Sequence, residues 1–361
     1  MVSEDEQQLR CLIAAGGTVG HVAPALAVAE ALRDHGVTVT FAGSPDRVEA
    51  RLVPERGYAF DTFPVAGFPR RPGVALLRAL ALAAAAPVAC GRILARRRPD
   101  VVLGAGGYVA GPMVLAAWLR GIPAAVTEAD AHLGLANRLA VPFARRVLLA
   151  YPVPGRDGAK YRVVGRPIPT TSQLVPRDEA RRRFELPLEG PVVLVAGGSL
   201  GARTLNETAL AAWAESGPAI LHLCGDREYE QLRGRVTRPE YRLLPFVDDY
   251  GAALGAADVV VSRAGGSVWE TAAAGKPAIL VPYPDATADH QRKNAEYFAR
   301  AGGAVIVPDA QARERVPSLV AELLADPGAL ERHGEAMRAA AKPQAAEEIA
   351  NELIALATAR R

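Results

Sequence analysis

Cysteine is scarce in this sequence, and its scarcity argues against two classes of protein. The 361 residues include only Cys11, Cys90 and Cys224, and no two of them form a C-x-x-C pair. Disulfide-rich secreted domains and cysteine-based zinc sites both need more thiols at closer spacing. We therefore expect free thiols in a reducing, cytosolic setting.

Long apolar runs and a strong net charge are missing as well. The longest apolar stretch, residues 79–91, is bracketed by Arg78 and Arg92. It is shorter than the roughly 18–20 residues of a membrane-spanning helix. The first ten residues are polar and acidic, which predicts no signal peptide. A formal net charge of +3 is too small to indicate a nucleic-acid partner.

The length and the alternation of patterns predict two α/β domains. A chain of this length exceeds the usual size of one domain. Short apolar strands alternate with glycine turns and amphipathic helices through both halves, which is typical of doubly wound parallel sheets. The proline-rich segment 165–172 separates the halves, so we predict domains at 1–166 and 167–342. An amphipathic helix within 343–361 follows, and we expect it to pack back towards the N-terminal domain. Ligands of such sheets bind beyond the carboxyl ends of the strands, which predicts a cleft between the two lobes.

Three glycine loops follow predicted strands: the first at residues 16–21, the second at 104–112 and the third at 197–203. Amides at a helix N-terminus bind phosphate well, although a single glycine loop is equally well explained as a tight turn without a ligand. Three of them, in both halves, favour phosphate or diphosphate binding. The first loop reads G-G-x-x-G-H instead of the dehydrogenase pattern G-x-G-x-x-G, and no Walker Gly-Lys-Ser/Thr occurs.

The stretch 257–295 has the pattern of a nucleotide-sugar site. A buried strand ends in Gly265-Gly266, and a helix carrying Glu270 follows. A carboxylate there can accept hydrogen bonds from two neighbouring hydroxyls, as acidic residues do for ribose. After the next strand, Gln291 has His290 and Asn294 near it, and these groups suit a further polar moiety.

Other polar residues leave two interpretations open. His21 is a general-base candidate, or a capping or solvent-facing histidine. Glu128 and Asp130 are weak evidence for a metal, because no histidine or cysteine is near them and loop carboxylates are often caps. Arg203 could bind a diphosphate or be a surface cation.

The segment 70–92 combines leucines with basic residues. Arg70, Arg71, Arg78 and Arg92 flank Leu76, Leu77, Leu80 and Leu82. This pattern fits a core helix with basic ends, and it equally fits an interfacial helix that dips leucines into a bilayer with anionic lipids. We expect the helical stretch 74–98 to be interrupted at Pro87.

In chain order, the motifs resemble the MurG family of bacterial glycosyltransferases of peptidoglycan synthesis. They read GGTVGH, PALAVAEAL, EARLV, GGYVAGPMVLAAWLRGIP, GLANRLA, GGSLGARTLNE, PFVDDY, SRAGGSVWETAAAGKPAILVP and DHQRKNAEYF. The resemblance covers nearly the whole chain. It implies a two-lobed GT-B fold and transfer of N-acetylglucosamine (GlcNAc) from UDP-GlcNAc to the C4 hydroxyl of the N-acetylmuramic acid (MurNAc) unit of lipid I. It also implies inversion at the anomeric carbon, no cofactor, no obligatory metal, and a peripheral position on the anionic cytoplasmic face of the plasma membrane.

The resemblance also assigns roles to individual residues. His21 would be the catalytic base. The lipid diphosphate would be held by the first two loops, through Gly16, Gly17, Thr18, Gly20, Gly104, Gly106, Gly107 and Tyr108. The UDP-sugar would be held by Gly198, Ser199, Arg203, Phe246, Val247, Glu270 and Gln291, with Asp130 and Arg166 also on the donor. Within that set, Ser199 would touch the phosphates, Phe246 and Val247 the uracil, Glu270 the ribose and Gln291 the sugar.

Three positions depart from the family pattern. Val19 stands where glycine is usual, and a β-branched residue disfavours a positive φ. Asp130 replaces an amide, so it accepts hydrogen bonds but cannot donate them. The linker reads Arg166-Pro167-Ile168-Pro169 instead of N-P-V-R, which displaces a phosphate-binding arginine that Arg166 could replace.

These departures keep three alternatives open. One is a related glycosyltransferase with another sugar nucleotide or acceptor. Another is a UDP-GlcNAc 2-epimerase, which would need no acceptor. The third is a non-catalytic protein that binds nucleotide sugars or diphosphate lipids without turnover.

Overall fold

The computed structural model describes residues 8–67, 73–198 and 201–360, together with most side chains of the helix that begins at Val74. The predicted Arg70 and Arg71, and the side chains of Leu76, Leu77, Arg78 and Leu80, lie outside the described residues. The chain divides into two compact units, the first ending at Pro169 and resuming at Pro343, the second running from Thr170 to Lys342. The first boundary therefore lies three residues beyond the predicted 166/167 position.

The first unit is built on a seven-stranded parallel sheet with the order β3-β2-β1-β4-β5-β6-β7. Its strands are β1 Arg10–Ala14, β2 Thr38–Gly43, β3 Ala59–Thr62, β4 Val101–Gly104, β5 Ala124–Glu128, β6 Arg146–Leu149 and β7 Tyr161–Val163. Its helices are α1 Val19–Asp34, α2 Glu49–Glu55, α3 Val74–Arg97, α4 Ala110–Leu119 and α5 Leu135–Ala140. Because both faces of the central strands are covered by helices, β4 is buried along its whole length.

The second unit repeats this architecture with six parallel strands in the order β10-β9-β8-β11-β12-β13. The strands are β8 Val192–Ala196, β9 Ala219–Leu223, β10 Tyr241–Leu244, β11 Val259–Ser262, β12 Ala278–Leu280 and β13 Ala304–Ile306. The helices are α6 Arg177–Arg183, α7 Arg203–Trp213, α8 Asp226–Leu232, α9 Tyr250–Ala256, α10 Val268–Ala273, α11 His290–Arg300, α12 Ala312–Ala325 and α13 Pro327–Ala340. The predicted pair of doubly wound parallel sheets is confirmed.

The last helix, α14 Ala345–Thr358, belongs to the first unit. Ile349 and Leu353 are buried in the same core cluster as Leu32 of α1. Glu352 forms ion pairs with Arg146, the first residue of β6, and with Arg162 in the neighbouring β7. The chain therefore completes the first core with its final helix.

The predicted break at Pro87 is wrong, because α3 runs unbroken through it. A proline inside a helix removes one backbone hydrogen bond and costs about 3 kcal/mol. Ala86, Cys90 and Leu94 on either side are fully buried, and their packing offsets that cost.

A search of the helices in the described part of the chain finds none with the length and hydropathy of a membrane span.

Candidate functional site

The first two glycine loops meet at the point where the strand order of the first sheet reverses. Ala14 and Gly104 are paired neighbours at the ends of β1 and β4, so the loops leave the sheet side by side. Gly107 has φ +72°, and a Cβ there would lie 2.2 Å from the carbonyl oxygen of Gly16. Gly106 has φ +94°, and its Cβ would lie 2.5 Å from Nδ1 of His21. Only glycine allows this approach of one loop to the other.

Tyr108 and Gly104 have different roles in the second loop. The ring of Tyr108 lies 3.3 Å from where a Cβ of Gly17 would be, so it covers the first loop. A Cβ on Gly104 would crowd Val114 at 2.9 Å, so that glycine serves helix packing against the strand. The second glycine loop, which we predicted to bind the acceptor, thus also contributes to packing within the fold.

Glu49 is a residue of this site to which our sequence reasoning gave no role. Its carboxylate is fully buried and accepts from the backbone N–H of Gly17 at 3.0 Å and of Ser44 at 3.1 Å. It thereby fixes the first loop to the end of β2. The E-A-R-L-V motif contained the residue, but only the fold brings it to the loop.

The N-terminus of α1 has the features of an anion site. Thr18 is the N-cap residue, makes no side-chain cap, and no acidic residue follows in the first turn. Thr18, Val19 and Gly20 are exposed, and Arg166 Nη2 donates to the carbonyl oxygen of Gly20 at 2.6 Å. A guanidinium beside the positive end of a helix is unfavourable unless an anion lies with them. Arg166 thus adds a positive charge beside the first glycine loop, and its role toward a ligand stays a prediction.

Val19 raises no conformational difficulty in this structure. It is the first residue of α1, and it is not among the non-glycine residues with positive φ in the described chain. Its side chain is 47% exposed. The expected conflict at this position is absent because the backbone is already helical there.

Burial and two neighbouring charges set the pKa of His21. Burial lowers its pKa below the ordinary histidine value, the charge of Arg166 lowers that pKa further, and the charge of Asp130 raises it. A neutral imidazole can accept a proton. The fold therefore brings together His21, Asp130 and Arg166, which are far apart in sequence.

Glu128 organises the loop that carries Asp130. It is buried and accepts from Asn137 Nδ2 at 2.9 Å and from the backbone N–H groups of Gly134 at 2.8 Å and Asp130 at 3.2 Å. Burial raises the pKa of this carboxyl, against the lowering effect of those bonds. Three protein donors occupy the carboxylate, which supports the capping interpretation of Glu128 over the metal one.

In the second unit the third glycine loop again lies at the switch point of the sheet. Ala196 and Ser262 are neighbours at the ends of β8 and β11, so this loop and the Gly265-Gly266 turn leave the sheet together. Gly198 is exposed with φ +83°, and Gly201 has φ +75° with its Cβ position 2.3 Å from the carbonyl oxygen of Cys224. Ser199 lies outside the described residues.

Arg203 is held by an ion pair at the start of α7. Its Nε donates to Glu228 Oε1 at 3.0 Å, while the side chain is 84% exposed. Its assignment to the diphosphate stays a prediction.

A buried series of hydrogen-bonded polar side chains lies next to the third loop, and our sequence reasoning gave these residues no role. Asn206 donates to Glu228 at 2.7 Å and to the carbonyl oxygen of Cys224 at 3.0 Å. Its Oδ1 accepts from His222 Nε2 at 2.9 Å, and His222 Nδ1 accepts from the hydroxyl of Tyr241 at 2.8 Å. Burial lowers the pKa of His222 to about 3, so the imidazole is neutral. These hydrogen bonds hold Cys224 and Glu228, which contact Gly201 and Arg203 of the third loop.

Glu270 lies in the first turn of α10, partly buried, with its Oε1 accepting from Ser172 Oγ at 2.5 Å. Phe246 is half exposed and Val247 partly buried, after the end of β10. A carboxylate and an exposed ring at the carboxyl end of one sheet suit a ribose and a base. These three assignments stay predictions.

The residues of the DHQRKN motif fall into two groups. Gln291 Oε1 accepts from the backbone N–H of Tyr283 at 2.8 Å, which fixes the orientation of its amide. Its contact with the sugar stays a prediction. His290 Nδ1 donates to the carbonyl oxygen of Thr287 at 2.9 Å. Asn294 is fully buried and donates to the carbonyl oxygen of Ala264, so it anchors the loop after β11.

Comparisons with known proteins define the class. Residues 11–149 match the glycosyltransferase family 28 N-terminal domain, and residues 192–352 match the family 28 C-terminal domain. Together with two Rossmann-like sheets and glycine loops at both switch points, these matches define a GT-B glycosyltransferase.

Individual relatives identify the family within this class of glycosyltransferases. The chain is 43% identical, over 94% of its length and 95% of the relative's, to the UDP-N-acetylglucosamine–N-acetylmuramyl-(pentapeptide) pyrophosphoryl-undecaprenol N-acetylglucosamine transferase of Acidithiobacillus ferrooxidans. It is 39% identical to the Salinibacter ruber protein of the same name, with 96% of each chain covered. The crystal structure of Acinetobacter baumannii MurG superposes with a TM-score of 0.79 at 31% identity, covering 96% of this chain and 99% of that one. The chain belongs to the MurG family of glycosyltransferases.

Proposed function

We propose that this chain transfers GlcNAc from UDP-GlcNAc to the MurNAc unit of an undecaprenyl-pyrophosphoryl acceptor. The observation that carries the proposal is 43% identity, over nearly the whole chain, to relatives named for that transfer. Glycine loops at both switch points fit a substrate pair in which donor and acceptor each carry a diphosphate.

The second unit is assigned to the donor. Glu270 accepts the ribose hydroxyls, Phe246 and Val247 border the uracil, and Gln291 donates to the sugar. Loop amides around Gly198, with Ser199 and Arg203, bind the phosphates.

The first unit is assigned to the acceptor. Exposed amides at the start of α1 and the second glycine loop bind the lipid diphosphate, and Arg166 adds a cation there. The family pattern also assigns Asp130 and Arg166 to the donor, and we keep that assignment as part of the proposal.

The reaction is a single in-line displacement. His21 takes the proton of the C4 hydroxyl while that oxygen bonds to the anomeric carbon. The bond from that carbon to the phosphate oxygen breaks, and UDP leaves with the electron pair, so the configuration inverts. Loop amides and helix N-termini stabilise the charge that develops on the leaving group.

A peripheral position on the cytoplasmic face of the membrane is part of the proposal. We use the term apolar patch for Val88, Trp118, Leu119, Leu135 and Leu139, which are all more than half exposed on α3, α4 and α5. Patches of this kind mark interaction sites, and the exposed Arg92 and Arg138 beside it suit anionic lipid headgroups.

A transfer assay with radiolabelled UDP-GlcNAc and a short-chain acceptor analogue tests the reaction. We expect turnover by the wild type. His21→Ala should lower kcat about 100-fold or more, with UDP binding retained. Glu270→Ala should weaken UDP binding about tenfold or more, since hydrogen bonds to a charged group contribute about 1.5–3 kcal/mol.

The alternatives give different results in the same assay. A related transferase would use another sugar nucleotide or acceptor in a donor screen. An epimerase would interconvert donor epimers without acceptor, and a binding protein would bind UDP without turnover. Full activity of Glu270→Ala would refute the ribose assignment.

A further inference from the structure

A mostly buried carboxylate, Asp309, bridges two loops of the second unit. It lies in a single 3-10 turn, Asp309–Gln311, shortly after β13. Its Oδ1 accepts from Nη1 of Arg263, and its Oδ2 accepts from the hydroxyl of Thr204 at 3.0 Å. The side chains of Arg263 and Asp309 are only 11% and 22% exposed.

The two partners of Asp309 each lie next to one of the two loops that leave the sheet together. Thr204 is the second residue of α7, directly after the third glycine loop. Arg263 directly follows β11 and precedes the Gly265-Gly266 turn. One carboxylate thus joins both loops that leave the switch point of this sheet.

Arg263 extends the bridge to a third strand. Its Nη1 also donates to the carbonyl oxygens of Val281 at 3.0 Å and Pro282 at 3.3 Å, beyond the end of β12. Its guanidinium lies 5.5 Å from the ring centroid of Tyr283, whose N–H is held by Gln291. Without Asp309, this largely buried cation would keep two carbonyl oxygens and the Tyr283 ring but lose the carboxylate that balances its charge in the described contacts. A buried cation without a counter-charge favours rearrangement of the loops that hold it.

We propose that Asp309 is a positioning residue that holds the third glycine loop and the Gly265–Glu270 turn in register for one nucleotide diphosphate. The inference rests on the proposed function of the second unit as donor site. Glycine leaves the backbone conformationally permissive. Displacement of a binding group by about 1 Å can lower the rate up to about 100-fold. The bridge supplies the restraint that the glycines lack.

The test measures UDP binding by calorimetry, together with kcat and both KM values. We expect Asp309→Ala to raise the Kd for UDP and the KM for UDP-GlcNAc together, by about tenfold to 100-fold. The KM for the acceptor should stay unchanged. Asp309→Asn keeps the shape and one acceptor oxygen, so it should lie between the wild type and Asp309→Ala.

Thr204→Val tests the hydrogen bond between Thr204 and Asp309 separately from the ion pair between Arg263 and Asp309. It removes one hydrogen bond, keeps the ion pair and preserves the shape of the side chain. We expect a smaller rise in the Kd for UDP, and no further rise when it is added to Asp309→Ala, because both substitutions break the same link. Additive effects would overturn the proposal, and this variant gives a result even if Asp309→Ala does not fold.

Asp258 offers a matched control in the same unit. It pairs with the fully buried Arg181 at 2.8 Å and is itself 27% exposed, but it precedes β11 at the opposite end of the strand. Asp258→Ala should lower the melting temperature without changing the Kd for UDP. Equal Kd changes in Asp258→Ala and Asp309→Ala, or none in either, would overturn the proposal. Failure of the premise that the second unit is the donor site looks different, because the wild type itself would then bind no UDP.

Discussion

At the scale of single residues, burial and two neighbouring charges together set the pKa of His21. The burial of the ring and the guanidinium of Arg166 lower its pKa, and the carboxylate of Asp130 acts in the opposite direction. Two of the three departures from the family pattern, Asp130 and Arg166, therefore act on the same imidazole. Their opposite charges partly compensate each other's effect on the proposed base.

This arrangement predicts two opposite shifts of the pH profile. A general base works only when unprotonated, so kcat/KM falls as the pH drops through the pKa of His21. Arg166→Gln removes a charge that lowers this pKa, so the acid limb should move to higher pH. Asp130→Asn removes a charge that raises it, so the limb should move to lower pH.

The profiles of kcat/KM against pH for the three proteins check this prediction. Arg300→Gln is the control, because Arg300 is an exposed cation of the second unit paired with Glu296. Shifts of Arg166→Gln and Asp130→Asn in the same direction would contradict the assignment of His21 as the base.

At the scale of elements, loops are fixed by side chains from elsewhere in the fold. Glu49, at the start of α2, holds the first glycine loop. Asn206 donates to the carbonyl oxygen of Cys224 beside the third glycine loop, and Asn294 anchors the loop after β11. Each polar group satisfies backbone atoms that a glycine turn leaves without a partner in a strand or helix.

Glu49→Gln tests the first of these supports. An amide has one acceptor oxygen, and its NH2 would face a backbone N–H, so we expect the free energy of unfolding to fall by about 1–3 kcal/mol. If the loop binds the acceptor, the KM for the acceptor should rise while that for UDP-GlcNAc stays unchanged. Denaturant unfolding and steady-state kinetics measure both.

Glu55→Gln is the matched control on the same helix, because Glu55 is exposed and pairs only with Arg51 in the described contacts. An equal loss of stability in both variants would argue against a special role of the buried carboxylate.

At the scale of the whole molecule, the chain builds two Rossmann-like units and returns to the first one with α14. The apolar patch defined above belongs to the first unit, and its residues lie on three helices that pack side by side. The patch therefore belongs to the unit that we assign to the lipid-linked acceptor, whereas the proposed donor loops belong to the second unit.

Leu135→Ser combined with Leu139→Ser tests that arrangement. Each exposed leucine that enters the interface contributes about 1.5 kcal/mol or more, so we expect co-sedimentation with anionic phospholipid vesicles to weaken about tenfold or more. UDP affinity should not change. Leu174→Ser is the control, because Leu174 is exposed to a similar degree in the second unit. Equal vesicle binding by the wild type and the double variant would rule out this patch as the contact.

The sequence by itself determined the α/β class, the glycine loops and the family, because strands, turns and helices have local patterns and the motifs are contiguous. It could not determine which distant side chains meet. Arg166 reaches Gly20 across 146 positions, and Thr204 reaches Asp309 across 105. Such pairs depend on strand order and register, which arise only when the sheets form. For the same reason the burial around α3 keeps it unbroken at Pro87, which a local rule cannot foresee.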